Sequence, residues 1–202
     1  MIVSERRSDL TKRAALAQHI AYIEKIVANG GPDPSNSTAF DCWLEEISRE
    51  LRLGMLDEAD LAALHDAFGE ALSLQTLQGF SLQKPHGYPG DYEIIDKIYL
   101  EYVTDDPAFE KWDRYYQKQS AAVAVRNRKT YFLRILGSLI VKHGISDTIP
   151  VLNVASGPAR DLVEFYTAID NGHNIRFQCV DLDGDAIEYA KGLCRPFLDR
   201  ID

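Results

Sequence analysis

The amino-acid sequence predicts a mixed α/β chain. A helical N-terminal part spans residues 1–145, and the first βαβα portion of a doubly wound parallel sheet spans 146–202. Two observations carry this. Before about residue 145, apolar residues recur at spacings of three and four, the period of an amphipathic helix. After it, short apolar runs alternate with helical stretches, the order of a parallel α/β unit. The composition agrees with a folded chain: 202 residues, 46% apolar and 26% charged, enough for one domain or a compact domain with a helical extension.

In the first predicted helix, residues 8–28, Leu10, Ala14, Ala17, Ile20, Ile23 and Val27 line one face after Ser8 as N-cap. Asn29-Gly30-Gly31-Pro32 ends it. Ser37 caps a second helix with the stripe Phe40, Trp43, Leu44, Ile47 and Leu51, closed by Gly54. Asp57 caps a third, with Leu61, Leu64, Phe68, Ala71 and Gln75 on one face. These three stripes read as ordinary core.

The segment Lys84-Pro85-His86-Gly87-Tyr88-Pro89-Gly90-Asp91-Tyr92 is different. Its prolines and glycines impose a stiff turn, and Asp91 stands where it caps a helix running through Ile94, Ile95, Ile98, Tyr99 and Tyr102. A turn alone does not need so many aromatic and polar groups, so Tyr88, Asp91 and Tyr92 are candidate ligand contacts. Asp106-Pro107 opens another helix, with proline at its favoured first position. From Arg114 to His143 there are basic residues and no acid, centred on Arg126-Asn127-Arg128-Lys129. This is either a solvated face opposite Tyr131, Ile135, Leu136 and Leu139 or a cationic site for a carboxylate or phosphate.

Charge and composition exclude several classes. With 22 basic against 31 acidic residues the net charge is −9, which argues against a broad nucleic-acid-binding surface. No run approaches the ~18 apolar residues of a transmembrane helix, and the N-terminal residues lack the apolar core of a secretory signal. Cys42, Cys179 and Cys194 fit neither a disulfide framework nor a zinc site. They read as reduced thiols of a cytoplasmic protein. The histidines at 19, 65, 86, 143 and 173 share no metal-ligand spacing, so no metal site is expected.

From Pro150 the pattern becomes strand, turn, helix, strand, helix. Val151–Ala155 reads as a buried parallel strand ending at Ser156-Gly157-Pro158-Ala159, and Leu162, Phe165, Tyr166 and Ile169 follow on one helical side. Asn171-Gly172 turns the chain. A second strand through Ile175, Phe177 and Val180 ends at Asp181-Leu182-Asp183, before a helix through Ala186, Ile187, Tyr189 and Ala190. Small residues at such a first turn let a ligand approach the backbone at a helix N-terminus. An acid at the second strand's tip, Asp181, is placed to accept hydrogen bonds from ribose hydroxyls. Together these features point to a nucleoside-bearing cofactor.

A dinucleotide fingerprint requires G-x-G-x-x-G. With Gly157 as its second glycine, Ala155 and Arg160 occupy the other two positions. No G-x-x-x-x-G-K-[ST] phosphate loop is present. VLNVASGPARDLVEF instead resembles the first motif of class I S-adenosylmethionine-dependent methyltransferases, commonly VLDLGCGPGRDL. Gly157, Pro158, Arg160 and Asp161 match it, and Asn153, Ala155, Ser156 and Ala159 stand for its Asp, Gly, Cys and Gly. CVDLDGDAIEYAK resembles the second motif of the same enzymes. Upstream, KPHGYPGDYEIIDKIY and AVRNRKTYFLRIL are similar to the helical region of a bacterial methyltransferase group. That group is described as making the methyl ester of 3-hydroxypalmitic acid, an extracellular factor; its usual pattern is KPRGYxGD, with arginine where His86 stands here.

The resemblance, over about residues 80 to 195, implies a Rossmann-like fold, S-adenosylmethionine as cofactor, and O-methylation of a carboxyl or hydroxyl on a small-molecule or fatty-acid-type acceptor. It implies that Asn153, Ala155, Ser156, Gly157 and Ala159 approach the methionine portion, that Asp181 holds the ribose, and that Leu182 or Asp183 borders the adenine. Tyr88, Asp91 and Arg126 would close over the cofactor or its methionine carboxylate. Two rival functions remain open. One is a helical protein-interaction module with a vestigial nucleotide-binding tail; the other is a nucleotide-dependent oxidoreductase. A doubly wound sheet also needs more strands than residues 146–202 supply. The sequence is therefore expected to be part of a longer enzyme and poor in catalysis alone, or to be completed by strand pairing in a homodimer.

Overall fold

The computed structural model describes residues 2–33, 35, 37–143, 148–168 and 175–202, with the side chains of 2–11 and 143 outside that description. The helix contacts assigned to Leu10 and Ile169, the turn at Asn171-Gly172, and His143 and His173 lie outside the described residues. The chain is mixed α/β and mostly helical, with a two-stranded parallel sheet. It forms two compact units, Met1–Gln83 with Val103–Lys118, and Lys84–Tyr102 with Gln119–Asp202. The change of pattern near residue 145 marks a change of secondary-structure type. The compact units instead follow contacts, and they group the Lys84–Tyr102 segment with the sheet.

In the first unit, helix α1 runs Ile2–Ala28. It begins before Ser8, because residues 2–7 contain no breaker and the helix propagates through them. Its end is the predicted one, with the Gly30 amide bonding Val27 O and the Gly31 amide bonding Ile26 O. Helix α2 is Ser37–Arg52 and helix α3 is Glu58–Phe68. Asp57 caps α3, accepting from the amides of Ala59 and Asp60, while the Asp60 carboxylate accepts from the Asp57 amide. The stripe predicted to continue to Gln75 stops at Phe68. Gly69–Leu72 forms a 3-10 turn that still buries Ala71, and Gln75 is exposed.

Helix α4, Leu77–Gln83, has no counterpart among the sequence predictions. Thr76 starts it by accepting from the Gly79 amide on Oγ1. A Cβ on Gly79 would stand 2.0 Å from Ser73 O, so only glycine allows this close turn. Asp106 accepts from the Ala108 amide at 2.9 Å and leads through Pro107 into helix α6, Glu110–Lys118. The core of the unit is aromatic. Phe40 stacks on Trp43 and meets Phe68, Trp112 and Tyr115 edge-on. Its buried polar groups are paired: Trp43 Nε1–H donates to His19 Nδ1, which leaves His19 Nε2 to donate to Glu50.

In the second unit, Lys84–Gly90 leads into helix α5, Tyr92–Tyr99. Helix α7 spans Ser120–His143. Strand β1, Ile149–Val154, helix α8, Arg160–Ala168, strand β2, Ile175–Val180, and helix α9, Gly184–Leu193, follow in the predicted order. β1 and β2 pair in parallel, Ile149 opposite Ile175 through Val154 opposite Val180. The outer edge of β2 is not bare. Arg200–Asp202 lies along it, with Phe177 N donating to Arg200 O, Asp202 N to Phe177 O and Cys179 N to Asp202 O. One sheet face packs into a core of Leu136, Ile140, Leu162, Phe165, Tyr166, Ile175 and Phe177. The other leaves Leu152, Val154 and Val180 exposed. Among the described residues no helix is long and apolar enough to cross a membrane.

Candidate functional site

The site grows from the two strand ends. β1 stops at Val154 because the next residues leave the extended region: Ala155, Gly157 and Ala159 all have φ near +55°. For the two alanines this left-handed backbone costs about 1 kcal/mol each, retained only where the surroundings impose it. At Gly157 a Cβ would meet nothing within 4 Å, so the missing side chain leaves open space at the turn. Pro158 then precedes α8, which starts at Arg160.

At the tip of β2, Asp181 is tied to that turn. Its Oδ2 accepts from the Gly157 amide at 2.8 Å and its Oδ1 from the Asp183 amide at 3.0 Å. The Gly157 amide is thus already committed, and the turn offers a ligand its open face rather than that N–H. Each Asp181 oxygen keeps a lone pair for a further donor. Asp183 caps α9 through Oδ1, accepting from the Asp185 amide at 2.9 Å. Its Oδ2 accepts from the Tyr88 hydroxyl at 2.6 Å. That bond favours the aspartate anion, holding its pKa below the usual range, and with burial it raises the Tyr88 phenol. Leu182 is fully exposed.

The 84–91 loop reaches these strand ends through its own network. His86 packs at a tilt against Tyr92 and bonds Glu93, and Tyr92 packs on Tyr189 of α9. Behind them Asp96 of α5 is buried, takes a bidentate ion pair from Arg160 at the start of α8, and accepts the Tyr189 hydroxyl at 2.7 Å. One carboxylate therefore joins α5, α8 and α9.

These groups surround a cleft of about 670 Å³. Tyr88, Pro89, Gly90 and Tyr92 form one wall; Tyr99 with Val125, Arg128, Lys129 and Phe132 another; Asn153 to Pro158, Asp161 and Asp181 the floor. A roomier trough of about 810 Å³ in the first unit is lined only by residues 42–52 of α2. It is space between solvent-facing side chains of one helix, with no convergent groups. Among the described residues no cluster of His, Cys, Asp and Glu could hold a metal ion.

Of the residues singled out by sequence, Tyr88, Asn153, Ala155, Ser156, Gly157 and Asp181 line this cleft. Asp183 borders it through Tyr88, and Ala159 is buried beneath the turn. Asp91 is buried with its carboxylate on the amides of Glu93 and Ile94, at 3.0 Å each, so its contacts are those of the α5 cap. Arg126 is half-buried on α7 outside the lining. At 100° per residue it sits roughly 110° around the helix from the face of Val125, Arg128, Lys129 and Phe132. That helical phase was present in the sequence and separates Arg128 and Lys129 from Arg126.

In the sequence Asp161 stands only as a matching letter of the first motif. It is the second residue of α8, accepts from the Leu162 amide at 3.0 Å, and makes no ion pair among the described residues. Burial pushes its carboxyl up to about 6, against smaller opposing effects of backbone amides and Arg128. Lys129 is occupied, bonding Glu164 at 2.6 Å and standing 5.0 Å above the Tyr99 ring. Arg128 has only a 3.4 Å contact to the Tyr99 hydroxyl and no ion pair among the described residues. Comparison with family models, with curated proteins and with solved structures returns no match, so function rests on the chemistry of this cleft.

Proposed function

We propose that this chain carries the cofactor-binding part of a class I S-adenosylmethionine-dependent methyltransferase. The observation that carries the reading is the convergence of three sequence motifs on one cleft: the Gly157 turn, Asp181 at the tip of β2, and Tyr88 from the Lys84–Asp91 loop. An interaction module has no need to bring the Tyr88 loop to a strand-end turn. An oxidoreductase would be expected to have a glycine in place of Arg160, whose guanidinium instead serves Asp96.

The residues fit an adenosyl group. Gly157 leaves open space where a side chain would stand, and the Asp181 carboxylate has acceptor capacity left for ribose hydroxyls. Tyr88, Tyr92, Tyr99 and Phe132 give the cleft an aromatic wall on which an apolar part of a ligand can pack. When bound, the cofactor supplies an electrophilic sulfonium methyl. The protein's part is to align an acceptor for in-line displacement. The acceptor class implied by the sequence resemblance is a carboxyl or hydroxyl oxygen of a small-molecule or fatty-acid-type compound.

Calorimetric titration of S-adenosylhomocysteine and of NADH into the chain tests this. Micromolar binding of the first, with NADH weaker, is the expected result. Asp181→Ala should weaken it more than about tenfold, since hydrogen bonds to a charged acceptor are lost. A folded chain that binds neither, or prefers NADH, overturns the reading.

A further inference from the structure

The Lys84–Asp91 loop reaches the strand ends without close backbone packing at its glycines. A Cβ on Gly87 or Gly90 would meet nothing within 4 Å, so the chain stands clear of its neighbours there and side chains must fix its place. Tyr88 is one tether, donating to Asp183 at 2.6 Å. His86 is another. It does not line the cleft, and it is half-buried. Its Nε2 lies 3.1 Å from Glu93 Oε2, and its ring centre lies 4.6 Å from that of Tyr92, tilted by 48°.

The surroundings of His86 are rich in acids. Glu93 of α5 is shared with Lys97 at 2.8 Å. Asp183, at the start of α9, is held low first by the Tyr88 hydroxyl and in smaller part by the charge of His86. Burial and then the charges of Asp185, Glu93, Asp183 and Asp91 raise the Tyr92 phenol. Of the groups just named besides His86, Lys97 alone is a cation. A positive charge at 86 pairs with Glu93, offsets that of Asp183 and rests against the Tyr92 ring. Because Tyr92 also packs on Tyr189 of α9, these contacts tie the loop to the helix that Asp183 caps. We propose that His86 is a positioning residue of the cleft: lodged as a cation between Glu93, Tyr92 and Asp183, it fixes the loop so that the Tyr88 hydroxyl reaches Asp183. It acts through Tyr88 and not by contact with a ligand. The positioning is a property of the free chain; its effect on affinity rests on the cofactor reading above.

Two measurements on the wild-type chain, His86→Arg, His86→Gln and His86→Phe test this. Arginine keeps a cation and a flat group for Tyr92, glutamine keeps an N–H for Glu93, and phenylalanine keeps a ring. The first measurement is nitration by tetranitromethane, which attacks the phenolate, mapped by mass spectrometry. Exposed Tyr131 is the internal reference, and Tyr166, buried in the core of the second unit, reports that the unit remains folded. Burial and the bond to Asp183 raise the Tyr88 phenol, so a tethered Tyr88 reacts slowly. Tyr88 should be nitrated at least about tenfold more slowly than Tyr131 in wild type and His86→Arg, and lose that protection in His86→Gln and His86→Phe. The second is calorimetric titration of S-adenosylhomocysteine, whose affinity should fall roughly fivefold in the same two variants and be kept by His86→Arg. A wild-type Tyr88 as reactive as Tyr131 overturns the proposal, whatever the titration gives. So does protection that survives His86→Gln and His86→Phe, or that His86→Arg loses. Protection that follows the charge at 86, with S-adenosylhomocysteine bound by none of the four chains, leaves the positioning role standing and overturns the cofactor reading. Affinity that is unchanged where Tyr88 protection is lost overturns the link from the loop to the cleft.

Discussion

Replacing Asp161 by Asn should stabilise the protein at neutral pH and leave it unchanged in acid. The carboxyl is raised from an ordinary 3.8 to about 6, chiefly by burial. Between those values the folded chain binds a proton that the unfolded chain has released. Stability therefore falls as pH rises through this window and is level above it. The difference of about 2.2 pKa units corresponds to at most about 3 kcal/mol. Water in the open cleft and the hydrogen-bond needs of the new amide reduce this, so Asp161→Asn should gain about 1 to 3 kcal/mol near pH 8 and roughly nothing near pH 4. The probe must report the right unit. Both tryptophans, Trp43 and Trp112, lie in the first unit, so their fluorescence is unsuitable. Hydrogen exchange of the β2 amides, compared between wild type and variant at each pH, isolates the effect of this one group. An equal difference at both pH values, or a variant less stable near pH 8, would refute the argument.

Three further outcomes follow from the packing. Gly79→Ala should destabilise the first unit by about 3 kcal/mol or more, since the methyl would strike the Ser73 carbonyl and Leu72 backbone; an unchanged thermal midpoint would contradict the close approach. Asp96→Ala leaves the Arg160 guanidinium and the Tyr189 hydroxyl without their acceptor, and should cost about 3 kcal/mol against about 1 for Tyr189→Phe, read by chemical denaturation followed by circular dichroism. Iodoacetamide near pH 8 should modify exposed Cys42 well before the others. Burial raises Cys179 to about 11 and Cys194 to about 12, and mass spectrometry of the labelled native chain would show them protected.

Elements whose signals are local were legible in the residues themselves. The Asp57 and Asp91 caps, the ends of α1 and α2 at Gly30 and Gly54, and the β1–α8–β2–α9 order depend on interactions within a few positions along the chain. Helix α4 was not legible, because seven residues with glycine at their centre carry too little periodicity. What starts α4 is a threonine hydroxyl on the Gly79 amide, and its Leu77 amide finds a buried carboxylate 36 positions away, Asp113.

In the site, the turn at Gly157 and the acid at the tip of β2 could be read from the sequence, since both are fixed by where a strand must end. Which cation faces the cleft could not be read from a run of basic residues, because only the packing of α7 decides which side of that helix turns inward. The same holds for Asp161. As a letter in the motif it is one more polar residue at a helix start. Its raised pKa and its lack of an ion pair among the described residues exist only because tertiary packing draws water away from the carboxyl while Arg160 beside it is committed to Asp96. Sequence determines which groups are present and in what local conformation; desolvation and partner choice are properties of the assembled fold.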